Sequence, residues 1–224
     1  MVKANDLYKS YGKNEVLKGA SLEASPGSIT ALVGRNGCGK STMLQILAGT
    51  LKADKSSISF FGNDANKDKS YFSKYVGYVP QEDPLFEELS VSDNLKFWAA
   101  GSKNIDKSII DRFELTDLLK TKVSNLSGGM KRRLTIACTL QRTPPVLLLD
   151  EPTSSLDLYY QESISNIMKE FVSHGGTIIM STHNEREILL SDVIYLFEDG
   201  TTKRISKDDI NMNDIRKSFL IQNK

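Results

Sequence analysis

The feature that most constrains the fold is a glycine-rich segment directly after an apolar run. The run from Ile29 to Val33 suits a buried strand, and Lys40 to Ala48 is typical of a helix that Gly49 ends. The segment that follows the run and includes the start of this helix matches the pattern G-x-x-x-x-G-K-[ST]. Its residues are Gly34-Arg35-Asn36-Gly37-Cys38-Gly39-Lys40-Ser41-Thr42. Glycines admit positive φ and leave backbone N–H groups open to an anion, and a helix N-terminus adds its positive dipole end. The segment predicts a phosphate-binding loop in an α/β fold. The alternative, a plain glycine-rich turn, fits this context poorly.

Alternating strand and helix patterns continue through much of the chain. An early segment alternates in strand fashion, and further buried strands are predicted at 76–79, 146–149, 177–181 and 193–197. Strands that alternate with helices favour a mostly parallel sheet covered by helices. The stretch 84–140 shows no convincing strand and has helical patterns at 91–100, 107–113 and 128–141. We therefore predict a helical lobe inserted into an α/β core, and a last short helix at 212–219.

Composition excludes several classes of protein. The 224 residues include 29 Lys and Arg against 28 Asp and Glu, a net charge of +1, so a broadly basic nucleic-acid binder is excluded. No stretch approaches the ~18 apolar residues of a membrane-spanning helix. The N-terminus lacks the apolar core of a secretory signal. Cys38 and Cys138 make no disulfide framework, which favours a reducing compartment. These observations predict a cytoplasmic protein that binds no nucleic acid.

Two adjacent carboxylates complement the loop. Asp150 and Glu151 follow the apolar run Val146 to Leu149, at the end of a predicted strand. Asp150 would hold Mg²⁺ through water, and Glu151 would polarise an attacking water as a general base. Without a phosphate-binding loop, a solvated strand end would be the favoured interpretation.

Within the loop, the Cys38 thiol lies near a helix N-terminus, where thiol pKa values tend to fall, so we expect a lowered pKa of this thiol.

A second candidate anion site lies at Leu126-Ser127-Gly128-Gly129-Met130, with Ser127 as helix N-cap and two glycines that expose backbone N–H groups. With this segment added, the chain resembles the ATP-binding cassette (ABC) ATPases. The segment is similar to the signature motif of that family, which normally ends in Gln where this chain has Met130. In the family, the signature of one protomer closes on the γ-phosphate held by the other. The resemblance covers residues 1–205.

The resemblance implies roles for further residues. Tyr11 would stack on adenine, Gln81 would contact Mg²⁺ and the attacking water, and His183 would contact the γ-phosphate. Ser154-Ser155-Leu156-Asp157 matches a loop that crosses the dimer interface. With ATP and Mg²⁺ bound, the implied catalytic residues are Lys40, Gln81, Glu151 and His183, and the implied metal-binding residues are Ser41, Gln81 and Asp150. The implied nucleotide-binding residues are Tyr11, Gly34, Arg35, Asn36, Gly37, Cys38, Gly39, Lys40, Ser41, Thr42, Ser127, Gly128 and Gly129.

The family also implies an architecture. It is a P-loop NTPase core of α/β class, with an N-terminal antiparallel β subdomain and an inserted α-helical lobe. On this basis the whole chain, 1–224, is one ATPase domain. Its core spans about 1–83 and 141–205, its lobe 84–140 and its tail 206–224. The basic run Lys131-Arg132-Arg133 after the signature is interpreted as a solvated helix face, with phosphate or partner binding as the alternative.

The implied function is that of the ATPase subunit of a membrane transporter whose permease is a separate polypeptide. The chain would lie on the inner face of the cell membrane, as a homodimer or paired with a second ABC ATPase. The run Pro84 to Leu95 and the signature ending in Met130 are similar to the drug, antibiotic and haem exporter branch, which favours export over import. One alternative is a mechanical complex of the cell-division or lipoprotein-release type. Another is a soluble ABC protein acting on ribosomes or DNA, although such proteins usually carry two cassettes or a coiled-coil insert. A non-hydrolysing binding module is disfavoured because Glu151 and His183 are both present.

Overall fold

A computed structural model describes residues 1–99, 105–154 and 156–206 of the chain. Ser155 and the helix predicted at 212–219 lie outside the described residues. The described strands, in chain order, are β1 (Val2–Tyr11), β2 (Asn14–Ala24), β3 (Ile29–Val33), β4 (Lys55–Phe60), β5 (Asn63–Asp64), β6 (Val76–Val79), β7 (Val146–Asp150), β8 (Thr177–Ser181), β9 (Val193–Glu198) and β10 (Thr201–Ser206). The described α-helices are α1 (Lys40–Leu47), α2 (Ser70–Tyr75), α3 (Val91–Trp98), α4 (Lys107–Arg112), α5 (Gly128–Leu140), α6 (Leu158–Ser173) and α7 (Glu185–Leu190).

The central sheet has the strand order β10-β9-β3-β8-β7-β6. Every pair in it is parallel except β9 with β10, which are joined by a tight turn at Asp199 and Gly200. The predicted mostly parallel sheet is therefore confirmed, and the strands predicted at 76–79, 146–149, 177–181 and 193–197 all fall on observed strands. β7 and β9 each extend one residue beyond the predicted range, to Asp150 and Glu198.

The N-terminal sheet is antiparallel, with the order β2-β1-β4-β5. In it, β1 pairs with β2 from Val2 opposite Ala24 to Tyr11 opposite Asn14. The other edge of β1 pairs with β4, whose Ile58 and Phe60 point into the core. This is the antiparallel β subdomain that the family resemblance implies.

The core consists of two apolar layers, one on each face of the central sheet. Because side chains alternate along a strand, neighbouring residues of β7 point into different layers. Leu147 and Leu149 pack with α5 and α6 in one layer, while Val146 and Leu148 pack with α1 and the antiparallel sheet in the other. A strand buried on both faces is an unbroken apolar run, which is why β7 was visible in the sequence.

The described part of 84–140 is helical. It contains α3, α4, α5 and two short 3₁₀ turns, Thr116–Leu118 and Val123–Asn125. Its only β-type pairing among the described residues is the single bridge between Ser90 and Lys122. Side chains of Ser90, Asp106 and Ser127 cap the N-termini of the three helices, and the Ser127 cap is the one that the sequence predicts. None of the described helices is both long and apolar enough to cross a lipid bilayer.

The connections after four neighbouring parallel strands meet at one edge of the central sheet. The glycine-rich loop follows β3, Gln81 lies just after β6, Glu151 directly follows β7, and His183 follows β8. In open parallel sheets, ligands bind outside the carboxyl ends of the strands. The topology therefore gathers the predicted functional residues of the core at the edge where a ligand is expected.

Candidate nucleotide-binding site

The glycine-rich loop wraps around its own lysine. Lys40 opens α1 and is only 5% exposed, and its ammonium donates to the carbonyl oxygens of Gly34 at 2.7 Å and Arg35 at 3.0 Å. Gly39 has φ 115°, and a Cβ there would lie 2.8 Å from Cδ2 of Leu17, so no other residue fits. Gly37, with φ 78°, faces open space, where an anion can reach the backbone. The loop is thus a cationic cradle at a helix N-terminus.

The loop and β7 meet at Ser41 and Asp150. The Ser41 hydroxyl donates to Oδ1 of Asp150 at 3.1 Å, and the Ser181 hydroxyl donates to the same oxygen at 2.5 Å. Oδ2 of Asp150 lies 3.5 Å from the hydroxyl of Tyr78 on β6. Burial and the nearby Asp150 carboxylate raise the pKa of the Tyr78 hydroxyl, which keeps it protonated as a donor. Hydroxyl and carboxylate oxygens beside a phosphate cradle are the ligands that Mg²⁺ prefers, so these residues fit that ion.

The predicted base and the predicted histidine are in contact. Nδ1 of His183 lies 2.9 Å from Oε2 of Glu151, with the Glu151 side chain 11% exposed and the His183 side chain 53% exposed. The Glu151 backbone has φ 48°, in the left-handed region that costs a non-glycine residue free energy. Its N–H donates to both the carbonyl and the hydroxyl oxygen of Ser181, at 3.2 Å and 3.0 Å. Strain of this kind persists only where the surroundings fix the backbone, and it is typical of functional sites.

A cleft of about 430 Å³ lies beside the loop. It is lined by the loop residues Arg35 to Cys38, by β2 around Val16 and by the turn between β9 and β10. Tyr11, at the end of β1, is 49% exposed and is paired with Asn14, which lines the cleft. Tyr11 is therefore the strand partner of a residue that lines the cleft, and about half of its surface is exposed.

Cys38 departs from the sequence expectation. Its thiol is half-buried, and this burial raises its pKa above the ordinary value, outweighing the Lys40 charge and the Lys40 N–H. The expected lowered pKa is therefore wrong. A helix N-terminus lowers a thiol pKa only where the thiolate keeps enough solvent, and the packing of this loop removes it.

The signature segment forms the start of α5. Ser127 accepts from the N–H of Met130 at 3.3 Å and caps α5, while Gly128 is exposed. Gln81 is exposed at the shared strand edge. The fold thus brings together Lys40, Ser41, Asp150, Glu151 and His183, with Gln81 beside them, and leaves the N-terminus of α5 exposed to solvent.

The two signature glycines provide a stability prediction. A Cβ on Gly129 would lie 2.4 Å from Cδ2 of Tyr160, whereas a Cβ on Gly128 would meet nothing within 4 Å. Gly129→Ala is expected to lower the free energy of unfolding by about 1–3 kcal/mol, because the Tyr160 ring must shift. Gly128→Ala is the matched control and should be neutral or slightly stabilising, since alanine favours a helix. Urea unfolding of both variants checks this, and equal stabilities would contradict the packing described.

The interpretation of Lys131-Arg132-Arg133 as a solvated helix face is wrong. Only Lys131 reaches the surface, where it pairs with Glu87 at 2.6 Å. Arg132 and Arg133 are 4% and 3% exposed, because α5 is a central helix that packs on several sides. The signal for this was present in the sequence: the run after Arg133 is almost wholly apolar, and cations in a helix buried on all sides must themselves be buried and paired.

Sequence reasoning also missed a buried carboxylate behind the Glu151–His183 pair. Glu187 on α7 is 2% exposed and accepts from the hydroxyl of Thr153 at 2.7 Å and from the hydroxyl of Thr182. Burial raises the pKa of Glu187. Glu187 therefore joins the segment after β7 to the segment after β8. Its partner Thr153 lies two residues after Glu151, and its partner Thr182 lies one residue before His183. No local pattern marks it, since it lies within a short polar helix.

The parallel sheet, the glycine-rich loop and the carboxylates at its edge define the class of P-loop ATP-binding cassettes. The comparison with known families agrees, because residues 17–154 match the family described as ABC transporter. The chain belongs to the ABC transporter family, and it is an ATPase of that family.

Two named relatives and one solved structure are similar over most of the chain. The lantibiotic transport ATP-binding protein SrtF of Streptococcus pyogenes is 34% identical over 203 residues, which are 88% of this chain and 87% of that protein. The cytochrome c biogenesis ATP-binding export protein CcmA of Rhodopseudomonas palustris is 37% identical over 77% of this chain and 86% of that protein. A dimeric ATP-binding cassette in a post-hydrolysis state with ADP and phosphate superimposes with a TM-score of 0.82, at 27% identity over 92% of this chain and 99% of that one.

Proposed function

We propose that this chain is the ATP-hydrolysing subunit of a membrane exporter whose permease is a separate polypeptide. The main support for the proposal is that the glycine-rich loop lies against the carboxylates at the end of β7. The Ser41 hydroxyl lies 3.1 Å from the buried Asp150 carboxylate, and Glu151 follows directly in contact with His183. Phosphoryl transfer requires a phosphate-binding loop with a lysine, a hydroxyl and a carboxylate that can hold Mg²⁺, and a second carboxylate that can orient water. All of these groups are present at this site.

Each of these residues has a proposed role. The backbone N–H groups of 34–42 and the Lys40 ammonium would bind the β- and γ-phosphates, while Tyr11 would stack on adenine. Ser41, Asp150 and Gln81 would hold Mg²⁺, which neutralises phosphate charge when bound. Glu151 would orient the attacking water and accept its proton, and His183 would hold Glu151 or the γ-phosphate. The functional unit would comprise a core of about 1–83 and 141–205 and the lobe 84–140.

The signature segment completes the site only in a dimer. Ser127 and Gly128 expose a helix N-terminus to solvent. An exposed, capped N-terminus with two glycines suits an anion supplied by another molecule. We therefore place Ser127 to Gly129 on the γ-phosphate held by a second copy of the chain, in a head-to-tail dimer. The solved relative that shares the fold is itself dimeric, which supports this arrangement.

A cluster of exposed aromatic residues on the helical lobe supports a membrane partner. Phe97 is 57% exposed and its ring packs at 4.7 Å, centroid to centroid, against Phe86, which is 43% exposed. Leu89, 41% exposed, lies in the same loop as Phe86. Aromatic residues are rarely left uncovered together unless a partner buries them. We place the permease on this cluster, so that the chain lies on the inner face of the membrane. Export is favoured because one relative is a lantibiotic transport protein and the other is an export protein of cytochrome c biogenesis.

The experiment that tests the partner is capture from solubilised membranes of the cells that make the protein. The tagged wild-type chain is expected to retain a polytopic membrane protein, and Phe97→Glu is expected to lose it at least tenfold, since a charge replaces an apolar anchor. Leu189→Glu is the matched control, because Leu189 is 54% exposed on α7, outside the lobe. Equal capture by the two variants would contradict the placement, and capture of no membrane protein by wild type would contradict the proposed function.

A further inference from the structure

Arg132 occupies an unusual position for a cation. It lies in the second turn of α5, five residues after Ser127, and is 4% exposed. Taking a guanidinium out of water is unfavourable unless its N–H groups are all satisfied. Within the described residues, Arg132 donates to four backbone carbonyl oxygens and to one carboxylate, that of Asp83. A buried guanidinium that donates to carbonyl oxygens fixes the position of the backbone segments that carry them.

One set of its contacts is on the loop after β6. Nη1 of Arg132 donates to the carbonyl oxygen of Pro80 at 2.5 Å and to Oδ1 of Asp83 at 3.1 Å. These acceptors flank Gln81, one residue before it and two residues after it. Arg132 thus holds both sides of the turn that carries Gln81, whose own side chain stays exposed.

The other set of contacts is at the end of β7. Nη2 donates to the carbonyl oxygen of Asp150 at 2.8 Å and to that of Glu151 at 3.4 Å, while Nε donates to the carbonyl oxygen of Pro152 at 3.1 Å. Three successive carbonyl groups around Glu151 therefore face one guanidinium. This is the stretch in which Glu151 has φ 48°, so the guanidinium stabilises a backbone that is otherwise unfavourable.

We propose that Arg132 is a positioning residue that ties the orientation of α5 to the catalytic carboxylate. This inference rests on the proposed ATPase function. A helix is stiff over a distance of five residues, or about 7.5 Å. A movement of α5, as when Ser127 takes up a phosphate, is therefore transmitted through Arg132 to the Glu151 backbone and to the Gln81 turn together. Glu151 is aimed at the attacking water only while this guanidinium is in place.

The neighbouring Arg133 is a matched control within the same helix. It is as buried as Arg132, but it pairs with Glu114 at 2.5 Å and lies 5.0 Å over the ring of Tyr160. The contacts that the structure gives it do not include the 80–83 turn or the 150–152 stretch. Loss of either guanidinium removes a buried cation and its hydrogen bonds, so both variants lower stability. Only loss of Arg132 releases the two segments around Glu151 and Gln81.

The test compares Arg132→Gln, Arg132→Lys and Arg133→Gln with the wild-type chain. Turnover per folded molecule, ATP affinity and hydrogen exchange of the amides at 81–83 and at 150, 151 and 153 are measured for each variant. Arg132→Gln is expected to lower kcat about 10- to 100-fold, because a misplaced base loses that much, while ATP affinity stays within about threefold. Arg132→Lys keeps the positive charge but lacks the planar, forked set of N–H donors of a guanidinium. Its kcat should therefore lie between those of Arg132→Gln and the wild type. Arg133→Gln should keep kcat within about threefold.

Hydrogen exchange separates this inference from the proposed function. Faster exchange at both segments in the Arg132 variants, and not in Arg133→Gln, is expected whether or not the isolated chain turns over. Unchanged exchange at both segments, or wild-type kcat in folded Arg132→Gln, would overturn the inference and leave the ATPase proposal standing. A wild-type chain that neither binds nor hydrolyses ATP would instead overturn the ATPase proposal, whatever the exchange shows.

Discussion

Lys40→Ala is expected to lower the affinity of the chain for ATP about 100-fold and to abolish hydrolysis. The ammonium is 5% exposed and is held under the loop by two carbonyl oxygens, so it is fixed where phosphate oxygens would arrive. Removing a buried, hydrogen-bonded charge that binds a charged ligand typically costs about 2–5 kcal/mol of binding free energy. This corresponds to roughly a 100-fold loss of affinity or more. Titration calorimetry with ATP and Mg²⁺ measures the effect.

The control for this substitution is Lys120→Ala, which removes an exposed lysine of the helical lobe. It should bind ATP as the wild type does. Because Lys40 is buried, the folded state of Lys40→Ala must be checked by its unfolding transition. A folded Lys40→Ala that binds ATP within threefold of wild type would exclude the loop as the phosphate site.

Glu151→Gln is expected to lower ATP turnover by about 10²- to 10⁴-fold and to leave ATP binding nearly unchanged. The Glu151 carboxylate contacts His183, and Glu151 directly follows Asp150 in the chain. Glutamine has almost the same shape and cannot accept a proton from water. Phosphate release at saturating ATP measures turnover, and calorimetry measures binding.

Glu162→Gln provides the comparison, since Glu162 is an exposed acid on α6 outside this edge of the sheet. Its turnover should equal that of the wild type. If Glu151→Gln retains more than about a tenth of wild-type turnover, another group activates the water and the role given to Glu151 is wrong.

Local patterns predicted the part of the site that depends on short segments. The loop from Gly34 to Thr42 and the pair Asp150 and Glu151 are each contiguous, and each follows a strand whose burial shows as an apolar run. The parallel arrangement then places them at one edge, as the structure confirms for Ser41 and Asp150.

The features that escaped prediction depend on distant packing. The burial of Arg132 follows from the packing of α5 between α3 and α4 of the helical lobe and the ends of β6 and β7. Its carbonyl partners lie 18 to 52 positions away along the chain. Glu187 is buried because Thr153 and Thr182 supply its donors. The raised pKa of Cys38 follows from how tightly the loop is covered. For Arg132, the apolar run after Arg133 indicates burial but not which groups bind the guanidinium. A short polar helix and a lone thiol carry no such information locally, since their environment is set by the tertiary fold.

We expect two copies of this chain to close head to tail around ATP, each supplying Ser127 to the nucleotide of the other. The molar mass of Glu151→Gln by light scattering, with ATP and with ADP, tests this dimer. Glu151→Gln should have twice the mass of one chain in ATP and a single-chain mass in ADP, and the double variant with Ser127→Glu should have a single-chain mass in both. A single-chain mass of Glu151→Gln at saturating ATP would contradict head-to-tail closure.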